Sequence, residues 1–362
     1  MAAVSATALL FSFLAVNNFK GRAEPVDSLK TEDGANRADY AGLDSGNRDG
    51  EGDARSPIRL NNGDNKAEND DGVDLSSIPG LTDGKAYPKK LVEEGSTNIL
   101  IIGEDKENLL YDTVGILSID HKSKKMKIIM IPRDMYVQYN KKVLRVLENA
   151  GKLNVAGVFK INYAHHIGPL MKYEGKFKPY TSISFLADVI KEKFNIEADD
   201  YIKLNTDGFA QAVDLFGGID INVPYTMNYD DPAQGLYIHI EKGFQRLDGR
   251  QAEGFVRYRQ GYDENGKFHS YDDVERKNNQ IAFIKAFIKQ HGSVKNIDKV
   301  PELIRILGRN IQHSIGVGDV LFKYLGAAKD VILKKYEIES VILSSGKEKY
   351  INGSRYMMLA EE

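Results

Sequence analysis

Three closely spaced apolar runs between Asn98 and Asn140 constrain the fold of this chain more than any other feature. The runs cover residues 98–102, 113–119 and 126–131, and each borders on charged residues. Their length and their many branched aliphatic residues predict buried strands, and the segment DHKSKK between the last two predicts a hairpin turn. Polar residues at strand ends often build functional sites, so the charged neighbours of these runs are the first candidates.

These charged neighbours have the chemistry of a metal and phosphate site. Carboxylates suit a divalent cation, and arginine binds phosphate oxygens through two parallel hydrogen bonds. A second arginine group ends the later segment FVRYR. A single charged residue more often forms an ordinary surface ion pair, but two arginine groups with nearby carboxylates favour a shared site. The candidate residues are Asp105, Asp112, Arg133, Asp134, Lys160, Asn162, Arg257, Arg259 and Arg276.

Helical segments alternate with strands along the rest of the chain. Apolar residues recur on one face of each segment, as amphipathic helices require. Helices are predicted at 182–195, 207–216, 274–290, 297–311 and 319–333, and further strands at 219–223 and 339–343. Interleaved strands and helices predict the α/β class, with a mixed sheet covered by helices.

Composition excludes several classes of function. The chain has no cysteine, which excludes disulfides, thiolate zinc sites and cysteine nucleophiles. Its 49 basic and 52 acidic residues give a net charge of −3, so it has no overall basic character and no nucleic-acid partner is expected. Walker A, GxGxxG, HExxH and GxSxG motifs are also absent from the sequence.

The N-terminal quarter differs from the rest of the chain. Residues 1–19 contain an apolar run that is shorter than the ~20 residues of a membrane span and lacks the basic start of a signal peptide. We interpret this segment as a truncated or atypical membrane anchor, with a buried or disordered tail as the alternative. Residues 20–90 are acidic and poor in apolar residues, which predicts a disordered linker. The folded catalytic domain is predicted at 91–362.

Seven motifs, in order, resemble those of the LytR-CpsA-Psr family. They are IIGED, DTVGILSID, IMIPRDMYV, KINYAH, DGFAQAVDLFGGIDINVP, LDGRQAEGFVRYR and VERKNNQIAFIKA, and the resemblance covers roughly residues 96–351. The resemblance implies an α/β/α sandwich with a mixed central sheet flanked by helices. It also implies a deep apolar pocket for a lipid, expected among helices such as 182–195 and 274–288. The competing interpretation is that these apolar faces are ordinary core.

The resemblance also implies a function. Proteins of this family transfer anionic glycopolymers, such as teichoic acid or capsular polysaccharide, from an undecaprenyl-pyrophosphate carrier to peptidoglycan. The implied partners are therefore a polyprenyl-pyrophosphate-linked glycan, peptidoglycan and the membrane, which the N-terminal segment would contact. The implied location is the cell membrane, with a single N-terminal anchor and an extracellular folded domain. Two alternatives stay open: a polyprenyl-pyrophosphate hydrolase, and a non-catalytic wall-polymer binding or regulatory protein.

Residue roles carried over from the motifs divide into three groups. The metal ligands for Mg²⁺ (or Mn²⁺) would be Asp105 and Asp112. The catalytic residues, which hold the pyrophosphate or orient its ligands, would be Arg133, Asp134, Arg257 and Arg259. The substrate-binding residues would be Lys160, Asn162 and Arg276.

The chain departs from the family pattern after FVRYR. An arginine of the family motif falls on Asp273 and a glutamine falls on Lys277, whereas Arg276 matches the second arginine. Replacing a phosphate-binding arginine with an aspartate is expected to weaken pyrophosphate binding or to change the choice of substrate. Lys267 and His269 are the candidates to supply the missing positive charge.

Overall fold

The computed structural model of this chain describes residues 78–104, 111–232, 235–271, 273–291, 299, 302, 306, 311–314, 336–343 and 347–359. None of the helices in these ranges has the length and apolar character needed to cross a membrane. The predicted anchor, most of the predicted linker and nearly all of the predicted helices 297–311 and 319–333 lie outside the described residues.

The described elements, in chain order, are fourteen strands and six helices. The strands are β1 (Thr97–Glu104), β2 (Tyr111–Asp120), β3 (Lys125–Ile131), β4 (Asp200–Asn205), β5 (Ile219–Val223), β6 (Met227–Asp231), β7 (Leu236–Ile240), β8 (Gly243–Leu247), β9 (Gln260–Tyr262), β10 (Phe268–Ser270), β11 (Ile311–His313), β12 (Glu337–Ile342), β13 (Lys347–Ile351) and β14 (Ser354–Met358). The helices are α1 (Lys141–Asn149), α2 (Ala164–Leu170), α3 (Thr181–Phe194), α4 (Thr206–Leu215), α5 (Gly249–Arg257) and α6 (Asp273–His291).

The three predicted N-terminal strands are confirmed and form the centre of a six-stranded sheet. Its order is β11-β4-β1-β2-β3-β12. Neighbours β1, β2 and β3 are antiparallel, whereas β4 runs parallel to β1 and β12 runs parallel to β3. The sheet is therefore mixed, as predicted. The described residues also form three smaller sheets, β10-β9-β6-β7, β13-β14 and β5-β8.

Each face of the central sheet is covered by helices and buries its own hydrophobic core. Successive side chains of a strand point to opposite faces. Ile99 and Ile101 of β1 therefore pack in the cluster that contains Phe283 of α6, while Leu100 and Ile102 pack in the cluster that contains Phe185 of α3. Because both faces are covered, the central strands read as continuous apolar runs in the sequence. This is the predicted α/β/α arrangement.

Three details differ from the sequence predictions. The strand at 219–223 pairs with β8 in a separate two-stranded sheet and not with the central sheet. Ile311, the predicted end of a helix, begins strand β11, which pairs with the edge strand β4. Packed structure also begins before residue 91, because Leu81 is buried and the backbone N–H of Thr82 donates to Glu192 Oε2 at 2.9 Å. Glu192 satisfies polar groups of a segment that composition alone suggested was solvated.

The helix that ends at Arg257 is positioned by its N-terminus. Asp248 and Gln251 form a capping box, in which each side chain accepts a hydrogen bond from the backbone of the other. Gly249 follows the cap, and a Cβ atom there would lie 2.1 Å from the carbonyl oxygen of Ala210 in α4. The motif LDGRQAEGF thus lets α5 approach α4 closely and fixes the position of Arg257, the last residue of α5.

Candidate active site

The site is built where the central strands meet at one edge of the sheet. Asp112 lies near the start of β2, and Arg133 lies just after the end of β3. Val114 pairs with Ile131, so the antiparallel register puts both charged residues at the same edge. The Arg133 Nη1 atom donates a hydrogen bond to Asp112 Oδ1.

The segment containing Lys160 and Asn162 folds back onto the same edge. Lys160 Nζ lies 2.8 Å from Asp134 Oδ1, and the Arg133 Nε atom lies 3.9 Å from Asp134 Oδ2. Asn162 is in a short 3₁₀ turn, and its backbone N–H donates to the Arg133 carbonyl oxygen at 3.2 Å. Asp134 therefore lies between two cations, an arrangement that orients both.

Helix α6 brings three further charged groups to this edge. Arg276 Nη2 donates to the backbone carbonyl oxygen of Asp112 at 2.9 Å and also to Asp273 Oδ1 at 2.5 Å. Arg276 and Asp273 are both buried, and Lys277 is fully buried. The two residues at which the chain departs from the family pattern are thus part of the cluster itself.

Arg259 joins the cluster from the chain that follows α5. Burial lowers the pKa of its guanidinium to about 10, and the nearby charges of Arg133 and Arg276 act in the same direction. Arg257, at the last position of α5, instead pairs with Glu253, whose Oε1 atom lies 2.8 Å from Arg257 Nη1. Arg133 and Arg259 are separated by more than a hundred residues in sequence, and the fold brings their charges together.

The cationic groups of the cluster keep the carboxylates of Asp112 and Asp273 ionised. Burial opposes the charge of Asp112, but Arg276 and Arg133 outweigh it and hold the pKa of that carboxyl below its usual value. Asp273 behaves in the same way, with its pKa well below the ordinary range beside Arg276 and Lys277. Burial lowers the pKa of the Arg133 guanidinium. The negative charges of Asp112 and Asp134 outweigh this effect, so the pKa is raised overall.

Several buried polar atoms of this cluster have no hydrogen-bond partner. Buried polar groups are almost always satisfied, so such atoms mark places where a ligand, ion or water binds. In the described part of the chain, the buried side-chain atoms without a partner that belong to the cluster are Arg133 Nε, Arg259 Nε, Asp273 Oδ2, Arg276 Nε and Lys277 Nζ. Four of these five atoms are nitrogen donors, which indicates an anionic ligand.

The metal prediction stays a prediction. Asp105 lies outside the described residues, whereas Asp112 offers a charged oxygen donor at the edge of the cluster. Among the described residues, no three histidine, aspartate or glutamate side chains are grouped so that they could hold a metal ion. Asp112 suits Mg²⁺ by its chemistry, but it supplies one ligand and shares it with Arg133.

Lys267 and His269, the two candidates to supply the missing positive charge, both contact Asp263. His269 Nε2 lies 2.9 Å from Asp263 Oδ2, and the backbone N–H of Lys267 donates to the same carboxylate at 2.9 Å. Both contacts belong to the β9–β10 hairpin. The cations beside Asp273 are Arg276, which donates to its Oδ1 atom, and Lys277, whose positive charge also lowers the pKa of that carboxyl.

Sequence reasoning missed two features of the site that helical spacing could have revealed. Glu253 lies four residues before Arg257, and Asp273 lies four residues before Lys277. Residues at this spacing are neighbours on a helix, with the acidic member in the favourable N-terminal position. Glu253 bonds both Arg257 and Arg250, at 2.8 Å each. It is therefore a residue that orients Arg257.

The apolar faces of α3 and α6 belong to the core in the described structure. Ile183, Phe185 and Ile190 pack in one cluster, and Phe283 and Phe287 pack in the other. A separate cleft of about 520 Å³ is lined by polar and apolar side chains, including Tyr136, Phe159, Asn154 and Lys349. The deep lipid pocket with arginines at its mouth stays a prediction.

Comparison with known proteins decides the family. The sequence model of the LytR_cpsA_psr family matches residues 61–362. The chain belongs to the LytR-CpsA-Psr family. A polyisoprenyl-teichoic acid–peptidoglycan teichoic acid transferase, TagU of Oceanobacillus iheyensis, is 29% identical over 276 residues, 75% of this chain and 73% of that protein. An uncharacterised protein of Staphylococcus aureus is 26% identical over 288 residues, 76% of this chain and 60% of that protein.

Solved structures of this family share the fold. The LytR-Csp2A-Psr enzyme from Actinomyces oris superimposes with a TM-score of 0.52 at 15% identity, covering 76% of this chain and 92% of that chain. Bacillus subtilis TagV gives a TM-score of 0.51 at 22% identity, covering 74% of this chain and 92% of that chain. At these identities the likeness concerns the fold alone, and it confirms the α/β class and the mixed central sheet flanked by helices.

Proposed function

We propose that this LytR-CpsA-Psr protein transfers an anionic glycopolymer from an undecaprenyl-pyrophosphate carrier to peptidoglycan and forms a phosphodiester link. The observation that carries the proposal is the group of buried, unpartnered nitrogen donors on Arg133, Arg259, Arg276 and Lys277. Arginine forks of this kind match the oxygens of a diphosphate. The relative named as a teichoic acid transferase supports the same substrate class.

The reaction needs no covalent enzyme intermediate. A hydroxyl group of the acceptor attacks the phosphorus nearest the glycan, and its proton is balanced by the one that the departing polyprenyl monophosphate takes up. The bond from that phosphorus to the bridging oxygen breaks, and polyprenyl monophosphate leaves. Negative charge develops on the phosphate oxygens as this happens, and fixed guanidinium groups in a buried site stabilise it. Arg133, Arg259 and Arg276 would fill this role, and Asp134 and Glu253 would orient their neighbours.

A divalent cation forms part of the proposal. Asp112, together with Asp105, would hold Mg²⁺ or Mn²⁺, whose hard charge suits carboxylate and phosphate oxygens. The bound ion would supply additional neutralisation of the diphosphate. The support is chemical: the Asp112 carboxylate is held in its charged form at the edge of the arginine cluster.

The proposed location is the outer face of the cell membrane. The apolar segment within residues 1–19 would serve as the anchor, and the acidic residues that follow would act as a spacer to the folded domain. Both the lipid-linked donor and the peptidoglycan acceptor would then be within reach. Membrane fractionation of cells expressing the full chain, followed by protease treatment of intact spheroplasts, tests this: retention in the cytosol would contradict it.

Reconstitution tests the activity. Full-length protein is mixed with a polyprenyl-pyrophosphate-linked glycan, Mg²⁺ and a peptidoglycan oligomer, and both the lipid product and the glycan product are analysed by mass spectrometry. The expected result is release of polyprenyl monophosphate only when glycan is joined to the acceptor. Release without joining would favour the hydrolase, and tight binding without turnover would favour the wall-polymer binder.

A further inference from the structure

Lys277 is an unusual residue for the interior of a protein. Its side chain is 0% exposed, and its ammonium group has no hydrogen-bond partner in the described structure. Lysine is almost never fully buried unless it is paired, because removing an ammonium from water is costly. A buried, unsatisfied ammonium therefore calls for a ligand or for a compensating function.

The surroundings of Lys277 identify the chemistry of that ligand. The Oδ1 atom of Asp273, one turn earlier on α6, accepts a hydrogen bond from Arg276. No ion pair within 4 Å joins Asp273 to the Lys277 ammonium. Arg276 and Arg133 add positive charge from the same cluster, while Asp112 adds negative charge. The unsatisfied donors on this ammonium and on the Nε atoms of Arg133 and Arg276 together favour an anion as the ligand.

Charge balance supports the same conclusion. The cluster contains the cations Arg133, Lys160, Arg259, Arg276 and Lys277 and the carboxylates Asp112, Asp134 and Asp273. Two positive charges remain when all eight groups are ionised. A doubly esterified diphosphate carries one negative charge on each phosphate group, so an excess of cations among these described side chains suits it, and Lys277 supplies one of those cations.

We propose that Lys277 is a diphosphate-binding residue whose ammonium donates to a phosphate oxygen, and that it offsets the negative charge that Asp273 introduces into the site. This deepens the proposed function and rests on it. Burial lowers the pKa of Lys277 to about 8, with Asp273 opposing the change, so the group is charged at neutral pH and an incoming anion favours the charged form further.

The test uses full-length protein and inorganic pyrophosphate as the probe, with binding followed by calorimetry at pH 7. Lys277→Met keeps the length of the side chain and removes the ammonium. The expected result is a loss of pyrophosphate affinity of about tenfold or more, since a hydrogen bond to a charged group is removed. Lys285→Met is the matched control, because Lys285 is an exposed residue of the same helix that bonds Ser340.

A stability measurement separates this role from a structural one. Replacing a buried, unpartnered ammonium by an apolar group should leave the free energy of unfolding unchanged or raise it, although anion affinity falls. A Lys277→Met variant that unfolds more easily and binds pyrophosphate as tightly as the wild type would overturn the proposal. Lys277→Arg, which restores a cation, should recover binding, and a variant that folds without recovering it would also count against the proposal.

The two proposals fail in different ways. Unaltered pyrophosphate binding in Lys277→Met removes Lys277 from the site whether or not the protein is a transferase. Wild-type protein that binds pyrophosphate through Lys277 but joins no glycan to peptidoglycan overturns the transferase and keeps Lys277. Wild-type protein that fails to bind pyrophosphate overturns both.

Discussion

Arg133 donates to the carboxylate of Asp112, and this contact joins the end of one central strand to the beginning of its neighbour. The contact lies at the edge of the central sheet where the candidate site is built. Arg276 reinforces it from the helix layer by bonding the Asp112 carbonyl oxygen. Asp112 therefore has two roles in the proposed mechanism: it positions Arg133, and it offers an oxygen to a metal ion.

Replacing Asp112 by asparagine should abolish metal-dependent transfer and leave the fold intact. The amide keeps the shape of the side chain but loses the charge that pairs with Arg133 and binds a cation. Transfer is measured by glycan joining at several Mg²⁺ concentrations, and folding by circular dichroism. Asp220→Asn, which disrupts an exposed ion pair with Arg246, serves as the control. Full activity in Asp112→Asn would exclude it from the site.

Arg259→Lys should lose most pyrophosphate affinity, by about tenfold or more, although the positive charge remains. An ammonium cannot form the paired hydrogen bonds of a guanidinium, and Arg259 Nε lacks a protein partner. Calorimetry with pyrophosphate gives the affinity directly. The same substitution at the exposed Arg246 should have no effect, and equal affinities for Arg259→Lys and the wild type would contradict the role.

Glu253→Gln should lower the rate of glycan transfer, because Arg257 loses the carboxylate that holds it. The substitution should also lower the free energy of unfolding by about 1–3 kcal/mol, the size of a hydrogen bond to a charged group. Glu253 is buried and bonds Arg257 as well as the exposed Arg250. Arg250→Met removes only the exposed partner and should change stability by less than about 1 kcal/mol. Chemical denaturation compares the two variants, and equal effects would indicate that Arg257 does not depend on Glu253.

The stability of the wild type relative to Lys277→Met should rise with pH in the alkaline range. Lys277 has a pKa of about 8 in the folded protein against 10.5 for an ordinary lysine, so the unfolded chain binds more protons between these values. Below pH 8 the buried positive charge of Lys277 lowers the free energy of unfolding. This loss is recovered as the pH increases toward 10.5, because the buried lysine is then neutral. Asp273 and Arg276 on α6, with Asp112 and Arg133 from the sheet edge, set this value. Urea denaturation at pH 7.5 and pH 10 measures the difference, and a constant or falling difference would contradict it.

The sequence alone determined the central part of the fold. Apolar runs at 98–102, 113–119 and 126–131 predict strands because a strand covered on both faces must be apolar at almost every position. The short polar segment between the last two runs allows only a hairpin. Antiparallel pairing of the strands then places Asp112 and Arg133 at one edge, so the sequence is sufficient to select these two residues as neighbours.

Only the tertiary structure decided which distant residues complete the site. Asp273 looked like the loss of a phosphate-binding arginine and Lys277 like a departure from a family glutamine, with His269 or Lys267 as the candidates to supply the missing positive charge. Helix packing against the sheet instead buries Asp273, Arg276 and Lys277 beside the Asp112 backbone and pairs His269 with Asp263. The physical reason is that the charge of a side chain can be read from its type, whereas its burial and its neighbours depend on how helix and sheet pack. The same packing gives Lys277 a buried, unpartnered ammonium, a property that no local sequence pattern contains.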